Sequence, residues 1–224
     1  MKTELSLSYT EENYVKTIFK LSEKDDQPVN TNAISKRMVI AAASVTDMLK
    51  KLADKELIHY EKYKGVRLSL TGKSVATQLI RKHRLWEVFL VNKLQFRWDQ
   101  VHDIAEELEH IKSDNLINRL DTFLGNPKFD PHGDPIPNRE GKFTLRNQTT
   151  MSTLVPGQTG ILVGVREHST PFLTYLNDLK IALGTELKIL ERVEFDRSLK
   201  IEIAQNQTTT ITEKVSQNLF VKYK

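Results

Sequence analysis

Between residues 31 and 70 two short segments with helical apolar spacing are followed by two runs of strict alternation, an order that few folds can accommodate. Thr31 or Asn32 is placed to open a helix through Ile34 and Met38. After a turn at Val39 to Ala42, Ala43 or Ser44 is placed to open another through Val45, Met48, Leu49 and Leu52. Two short helices joined by a tight turn form a helix-turn-helix. Ile58, Tyr60 and Lys62 then alternate ahead of Lys64-Gly65, and Val66, Leu68 and Leu70 alternate after it, which predicts a β-ribbon. Upstream, Ser8 and Glu11 stand three residues apart in the capping-box arrangement, ahead of a stripe of Tyr14, Val15, Ile18, Phe19 and Leu21. That first helix is expected to reach about Glu23 and to break at Asp25-Asp26-Gln27-Pro28. Together these elements predict a winged helix over residues 1–72.

Charge separates this segment from the next. Residues 36–73 carry nine Lys and Arg against four acids, a balance of +5, whereas residues 98–124 carry seven acids against two bases, a balance of −5. The first suits a polyanion and the second a cation. In a winged helix the second helix of the pair enters the major groove, so Ser44, Thr46 and Asp47 near its start are expected to face base edges. Lys36, Arg37, Lys50, Lys51, Lys62, Lys64 and Arg67 are expected to meet phosphates, which sets affinity and carries little sequence information.

A long helix is expected from about Lys73 to Leu94, a ligand-bearing helix from Trp98 to Ile111, and a third from Asn115 to Leu124, ended by Gly125 and Pro127. His102, Glu106, Glu109 and His110 fall at i, i+4, i+7 and i+8. On a helix they span an arc of about 100°, which gathers two imidazoles and two carboxylates for one cation or a close pair. Val101, Ile104, Leu108 and Ile111 take the opposite, apolar face, while His83 and Glu87 sit at i, i+4 on the preceding helix, where further ligands would come from. Leu85, Trp86, Phe89, Leu116, Leu120, Phe123 and Leu124 exceed what three helices bury alone, so a homodimer interface is expected. Residues 73–138 therefore read as a helical dimerisation and metal-binding domain.

After a connector in the Pro-rich stretch from Asn126 to Asn147, with the linker taken as 139–152, residues 153–224 form a third module. Strands are expected at Gly160 to Val165, Leu187 to Val193, Leu199 to Ala204 and Thr208 to Ile211, with a helix at Pro171 to Leu179. That pattern predicts a small antiparallel β-barrel. The fold class is mainly α with β.

Three segments, Arg81-Lys82-His83-Arg84-Leu85-Trp86-Glu87, Val101-His102-Asp103 leading to Glu109-His110, and Asp130-Pro131-His132-Gly133-Asp134-Pro135-Ile136-Pro137, resemble the diphtheria-toxin-repressor and manganese-transport-regulator family of metal-dependent transcriptional repressors. The resemblance covers residues 8–137. It implies two metal sites per subunit, homodimerisation through the middle helices, and metal-dependent binding to an inverted-repeat DNA operator. By position, Glu106, Glu109 and His110 match the regulatory site, to which the first helix adds a ligand at Asn13, while His83, Glu87 and His102 match the neighbouring one. Asn13 stands where the family usually has Met or Asp, so a neutral amide or the adjacent Glu12 must serve. Lys16 occupies a position where some manganese regulators have a carboxylate. The last module is similar to the SH3-like, iron-transport-A-like domain of longer members, and the resemblance implies that its loop at Glu167 and His168 lends ligands to the neighbouring site.

The chain of 224 residues has no cysteine, which removes disulfides, thiolate metal sites and cysteine nucleophiles. Carboxylate with imidazole and amide suits Mn(II), with Fe(II) next, and other divalent transition metals would bind in vitro. The polar residues Met1 to Glu12 lack a signal-peptide core and no apolar run has membrane-spanning length, so a cytoplasmic protein without a membrane partner is expected. No motif sets a general base beside an open metal position, so neither enzyme activity nor an organic substrate is expected. The alternatives are an Fe(II)-responsive regulator of the same type and a winged-helix regulator responding to a small organic ligand.

Overall fold

The computed structural model describes residues 6–22, 27–61, 64–204 and 207–224. The chain divides into two compact units, one of Met1–His83, Glu106–Asp114 and Pro137–Phe143, the other of Arg84–Ala105, Asn115–Ile136 and Thr144–Lys224.

In the first unit α1 (Tyr9–Ser22) begins at the expected capping box: Ser8 N donates to Glu11 Oε2 at 2.8 Å and Glu11 N donates to Ser8 Oγ at 3.3 Å. The expected end at Glu23, like the break at Asp25-Asp26, lies outside the described residues. Helix α2 (Thr31–Met38) is capped one residue earlier than expected, because the Asn30 side chain accepts from Ala33 N at 2.7 Å. It ends at Val39, whose φ of 57° lets its N–H reach Ser35 O. Helix α3 (Ala42–Asp54) also starts earlier than expected and has no side-chain cap. Alanines 41–43 offer no capping oxygen but are the best helix formers, so the helix extends into them.

Strands β1 (Ile58–Glu61) and β2 (Gly65–Leu68) pair antiparallel with Ile58 opposite Leu68 and Tyr60 opposite Val66. Val29 extends the ribbon through two 2.9 Å bonds with Val66. The alternation expected to continue through Leu70 stops at Leu68. Leu70 is 87% exposed and opens α4 (Leu70–Leu94), whose first turn is held by Gly72 N donating to Ser69 Oγ. A side chain at Gly72 would meet Leu57 O at 2.0 Å, so only glycine fits where this helix passes the hairpin. Tyr14, Ile18, Ile34, Leu49, Leu52 and Leu57 form the centre of this core.

Two expectations for the middle helices need correction. The ligand-bearing helix is shorter: α5 covers only His102–Leu108, and Glu109 and His110 form the turn after it. Trp98 and Asp99 are drawn away from a helical path because Trp98 Nε1 donates to Asn177 Oδ1 at 2.7 Å and Asp99 accepts from the Asn177 amide at 3.2 Å. On the apolar side Val101 and Ala105 are buried, whereas Ile104, Leu108 and Ile111 are only half-buried. Leu85, Trp86 and Leu120 are also buried within the chain itself. The apolar surface left over on α6 (Asp114–Phe123) is therefore smaller, chiefly Leu116 and Phe123.

The C-terminal part of the second unit is an antiparallel six-stranded sheet ordered β3-β8-β4-β5-β6-β7, where the strands are β3 (Thr149–Thr150), β4 (Thr159–Val165), β5 (Glu186–Arg192), β6 (Leu199–Ile203), β7 (Gln207–Ile211) and β8 (Leu219–Tyr223). Helix α7 (Thr170–Asp178) packs Leu173 and Leu176 against Leu162, Leu187, Ile201 and Val221. A short α8 (Glu213–Ser216) precedes β8. Strand β8 was not expected from the sequence although it lies between β3 and β4. Its inward residues, Leu219 and Val221, supply only one alternation before the chain turns polar. No helix among the described residues is long and apolar enough to cross a membrane.

Candidate metal centres and nucleic-acid interface

In the first unit the acidic turn meets the first helix. Lys16 Nζ lies 2.6 Å from Glu106 Oε1 and 2.7 and 2.6 Å from the two Glu109 oxygens. His83 Nδ1 is 2.7 Å from Glu109 Oε2, and His110 Nδ1 is 2.6 Å from Glu12 Oε2 with its ring stacked on Tyr9. Asn13, between Glu12 and Lys16 in sequence, has its side-chain oxygen buried with no hydrogen-bond partner among the described residues. A buried acceptor left unmatched costs about 1–3 kcal/mol, so an oxygen held this way is suited to a cation. Three carboxylates, two imidazoles and an amide oxygen therefore come from α1, α4, the end of α5 and the turn after it. The set contains no sulfur and fits a hard or borderline divalent ion.

The second unit holds another cluster. Glu87, Asp130 and His132 are all buried and bring ligand atoms within 4.8 Å of one another. His132 Nε2 bonds to Trp98 O at 2.8 Å, which turns Nδ1 toward Glu87 Oε2, 3.6 Å away and just beyond hydrogen-bonding distance. His102 Nδ1 lies 3.6 Å from the other Glu87 oxygen. Burial first, then the charges of Glu87 and Asp134, push Asp130 up to about 7. Burial alone would lower His132, but the Glu87 and Asp130 carboxylates outweigh it and raise it to about 9. Two buried carboxylates around an imidazole make a site that attracts positive charge.

The tight turn after Phe129 builds this cluster. Asp130 Oδ1 accepts from His132 N at 2.8 Å and Asp134 N at 2.9 Å, and Gly133, with φ +88°, lies where a Cβ would meet Val163 O at 2.1 Å. The His168 ring stacks on His132 at 4.7 Å, and burial holds its pKa low. Glu167 is exposed, with Oε1 accepting from Ser169 N at 2.9 Å. His83 thus keeps company with Glu109, and Glu87 with His102, Asp130 and His132. In the sequence Asp130 and His132 lie in a Pro-rich turn that carries no ligand spacing. The available signal was a histidine flanked by two aspartates beside a glycine.

On the winged helix Ser44 and Asp47 are exposed near the start of α3, and Thr46 is half-buried with Oγ1 donating to Ala42 O at 3.0 Å. Lys36, Arg37, Lys50, Lys51, Lys64 and Arg67 are exposed, Lys50 pairing with Asp47 at 3.1 Å and Lys64 with Glu61 at 2.7 Å. Such exposed pairs contribute at most about 1 kcal/mol and can be exchanged for phosphate contacts. Lys62 lies outside the described residues.

Family models place these features. Residues 6–66 match the iron dependent repressor N-terminal DNA binding domain, residues 70–138 its metal binding and dimerisation domain, and residues 149–223 the FeoA domain. The chain belongs to the iron-dependent repressor family, that of the diphtheria toxin repressor. It is 33% identical over 128 residues to the diphtheria toxin repressor of Corynebacterium jeikeium, covering 57% of this chain and 53% of that one. It is also similar to a solved manganese-dependent transcriptional repressor in complex with manganese, at 33% identity and a TM-score of 0.85 over 95% of this chain and 99% of that one. The manganese regulator SloR matches at 34% identity and a TM-score of 0.74 over 96% and 98%. The match spans about half the length of the Corynebacterium jeikeium diphtheria toxin repressor and of the Mycobacterium leprae iron-dependent repressor.

Proposed function

We propose that this protein is a metal-activated transcriptional repressor that binds an inverted-repeat DNA operator as a homodimer in the cytoplasm. In this reading residues 1–72 bind DNA and 73–138 bind metal and dimerise, while the stretch expected as a linker, 139–152, gives its last residues to β3 and the core, so that the SH3-like domain extends from 149 to 224. The observation that carries it is the pair of contacts between α1 and the acidic turn, Glu12 with His110 and Lys16 with Glu106 and Glu109. Helix α1 packs within the same core as the helix-turn-helix, so what happens at the acidic turn is felt by the DNA-reading elements.

Glu106, Glu109, His110 and Asn13 or Glu12, with His83, form the regulatory centre, and Glu87, Asp130 and His132, with His102 and the loop of Glu167 and His168, the neighbouring one. A bound divalent ion would strengthen the tie between α1 and the turn by taking ligands from both at once. The chain's residues position that ion and carry α1 with it, and a coupling of about 1–3 kcal/mol changes operator affinity by roughly 5- to 150-fold. Mn(II) is the activating ion in this reading, supported by the sulfur-free ligand set and by the manganese-dependent solved relatives. Fe(II) is the second reading, supported by the iron-dependent curated relatives. A regulator, not an enzyme, is what a winged helix joined to metal ligands serves. Leu116 and Phe123 on α6 are the exposed apolar residues on which a second copy would pack.

A gel shift on operator DNA with Mn(II), with Fe(II) under reducing conditions and with chelator tests the reading. Binding that appears with metal and vanishes with chelator is expected, and equal binding in all three would overturn it.

The orphaned Asn13 oxygen gives a sharper expectation. A neutral amide attracts a cation less than a carboxylate does, so Asn13→Asp should tighten Mn(II) binding and Asn13→Ala should weaken it. The capping box and the buried Tyr14 and Ile18 remain in both, so α1 should stay folded. Calorimetric titration of Mn(II) decides this; equal affinity in all three proteins would remove Asn13 from the ligand set.

A further inference from the structure

Lys16 is buried, its side chain 6% exposed, and its ammonium makes three contacts of 2.6–2.7 Å, one to Glu106 and two to Glu109. Those three bonds use every donor an ammonium has. Glu109 itself is fully buried and has no solvent to turn to. The same three oxygens are the ones a divalent ion in the α1 centre would use, at bonds of roughly 2.0–2.2 Å. An ammonium and a divalent ion cannot both be held against these oxygens without strong repulsion, since like charges a few ångströms apart in a buried site are poorly screened.

We propose that Lys16 is a built-in cation of this centre which a divalent ion must displace, so that metal binding is an exchange of one cation for another and Lys16 sets the metal concentration at which the protein responds. The inference rests on the α1 centre being a metal site. On exchange the ammonium stays protonated and swings from the carboxylates into solvent, carried by its flexible four-carbon stem. Asn13 Oδ1 serves the two cations differently. All three ammonium donors are already taken by Glu106 and Glu109, whereas a divalent ion takes more ligands than three and can recruit the amide oxygen. Lys16 therefore favours the arrangement without Asn13, and the metal favours the arrangement with it.

Two measurements on the full-length chain test this. In the wild type, acylation of Lys16 followed by mass spectrometry should be slow with chelator and several-fold faster with saturating Mn(II); unchanged protection would overturn the exchange. Second, Lys16→Met should bind Mn(II) about tenfold tighter or more, read by competition with a fluorescent chelator. Lys16→Gln, whose amide can still donate to the carboxylates without charge, carries the same expectation if the methionine variant does not fold. His110→Ala separates the two levels, because His110 bonds Glu12 and not Lys16. If His110→Ala weakens Mn(II) binding while neutral residues at position 16 leave it unchanged, the exchange is wrong and the centre stands. If His110→Ala also leaves it unchanged, the centre itself is wrong.

Discussion

Replacing Glu106 or His110 with Ala is expected to abolish Mn(II)-activated operator binding while the protein stays folded. Neither side chain belongs to an apolar core. Glu106 is one-third exposed, and its removal leaves Lys16 held by both oxygens of Glu109, so no buried charge is stranded. His110, itself buried, would leave Glu12, whose side chain keeps only 13% exposure, and a stacked Tyr9 that is 61% exposed. Losing such charge-assisted, mostly buried contacts costs about 1–3 kcal/mol, which lies within the roughly 5–15 kcal/mol that keeps a domain folded. The functional cost is larger, because each position removes a ligand from the centre that ties α1 to the acidic turn. Circular dichroism and a gel shift on the same sample check both halves, and full Mn(II)-dependent binding by His110→Ala would contradict the assignment.

Gly133→Ala is expected to be the most damaging small substitution in the second unit. The backbone there has φ +88°, and an added Cβ would stand 2.1 Å from Val163 O and 2.4 Å from Gly164 Cα, both backbone atoms that cannot step aside. Strain of this kind destabilises by about 2–4 kcal/mol. Relief by moving the turn would displace Asp130 and His132, since Asp130 Oδ1 holds the turn through the amides of His132 and Asp134. Gly157 is the control: its φ is +89° but nothing lies within 4 Å, so Gly157→Ala should cost only the left-handed backbone penalty of about 1–2 kcal/mol. Thermal denaturation of both variants and a metal titration decide it. A Gly133→Ala protein as stable as Gly157→Ala, with unchanged metal binding, would show that this turn does not build the second cluster.

Local signals in the chain made much of this architecture legible. The Ser8–Glu11 box, the apolar spacing in residues 31–54 and the alternation around Lys64-Gly65 each encode their element within a few residues, and the helices and the hairpin formed where those patterns lie. Boundaries moved where a distant partner competed. Trp98 and Asp99 answer to Asn177, so the helix expected from Trp98 begins at His102, and Leu70 leaves the alternation to start a helix capped by Ser69. Strand β8 carries too short an alternation to stand out, and its place between β3 and β4 is fixed by pairing across the sheet.

The helical spacing of His102, Glu106, Glu109 and His110 pointed to the acidic segment, yet the last two reach their partners from a turn, where a 100° step per residue no longer applies. Asp130 and His132 were hidden for a related reason. They lie far from Glu87 in sequence and converge on it only because the turn through Gly133 is pressed against Val163. The Lys16 contacts were equally out of reach of periodicity, being bonds between residues 90 or more positions apart.

The central claim is that metal at the α1 centre and DNA at the winged helix are coupled. Linkage makes that coupling reciprocal: if Mn(II) tightens operator binding by some factor, operator DNA must tighten Mn(II) binding by the same factor. Titrating Mn(II) into the full-length protein alone and into the protein saturated with operator measures the second factor, and a DNA-binding titration at zero and saturating Mn(II) measures the first. Equal factors of roughly 5- to 150-fold are expected, both lost in His110→Ala. An Mn(II) affinity that is the same with and without operator would contradict the account.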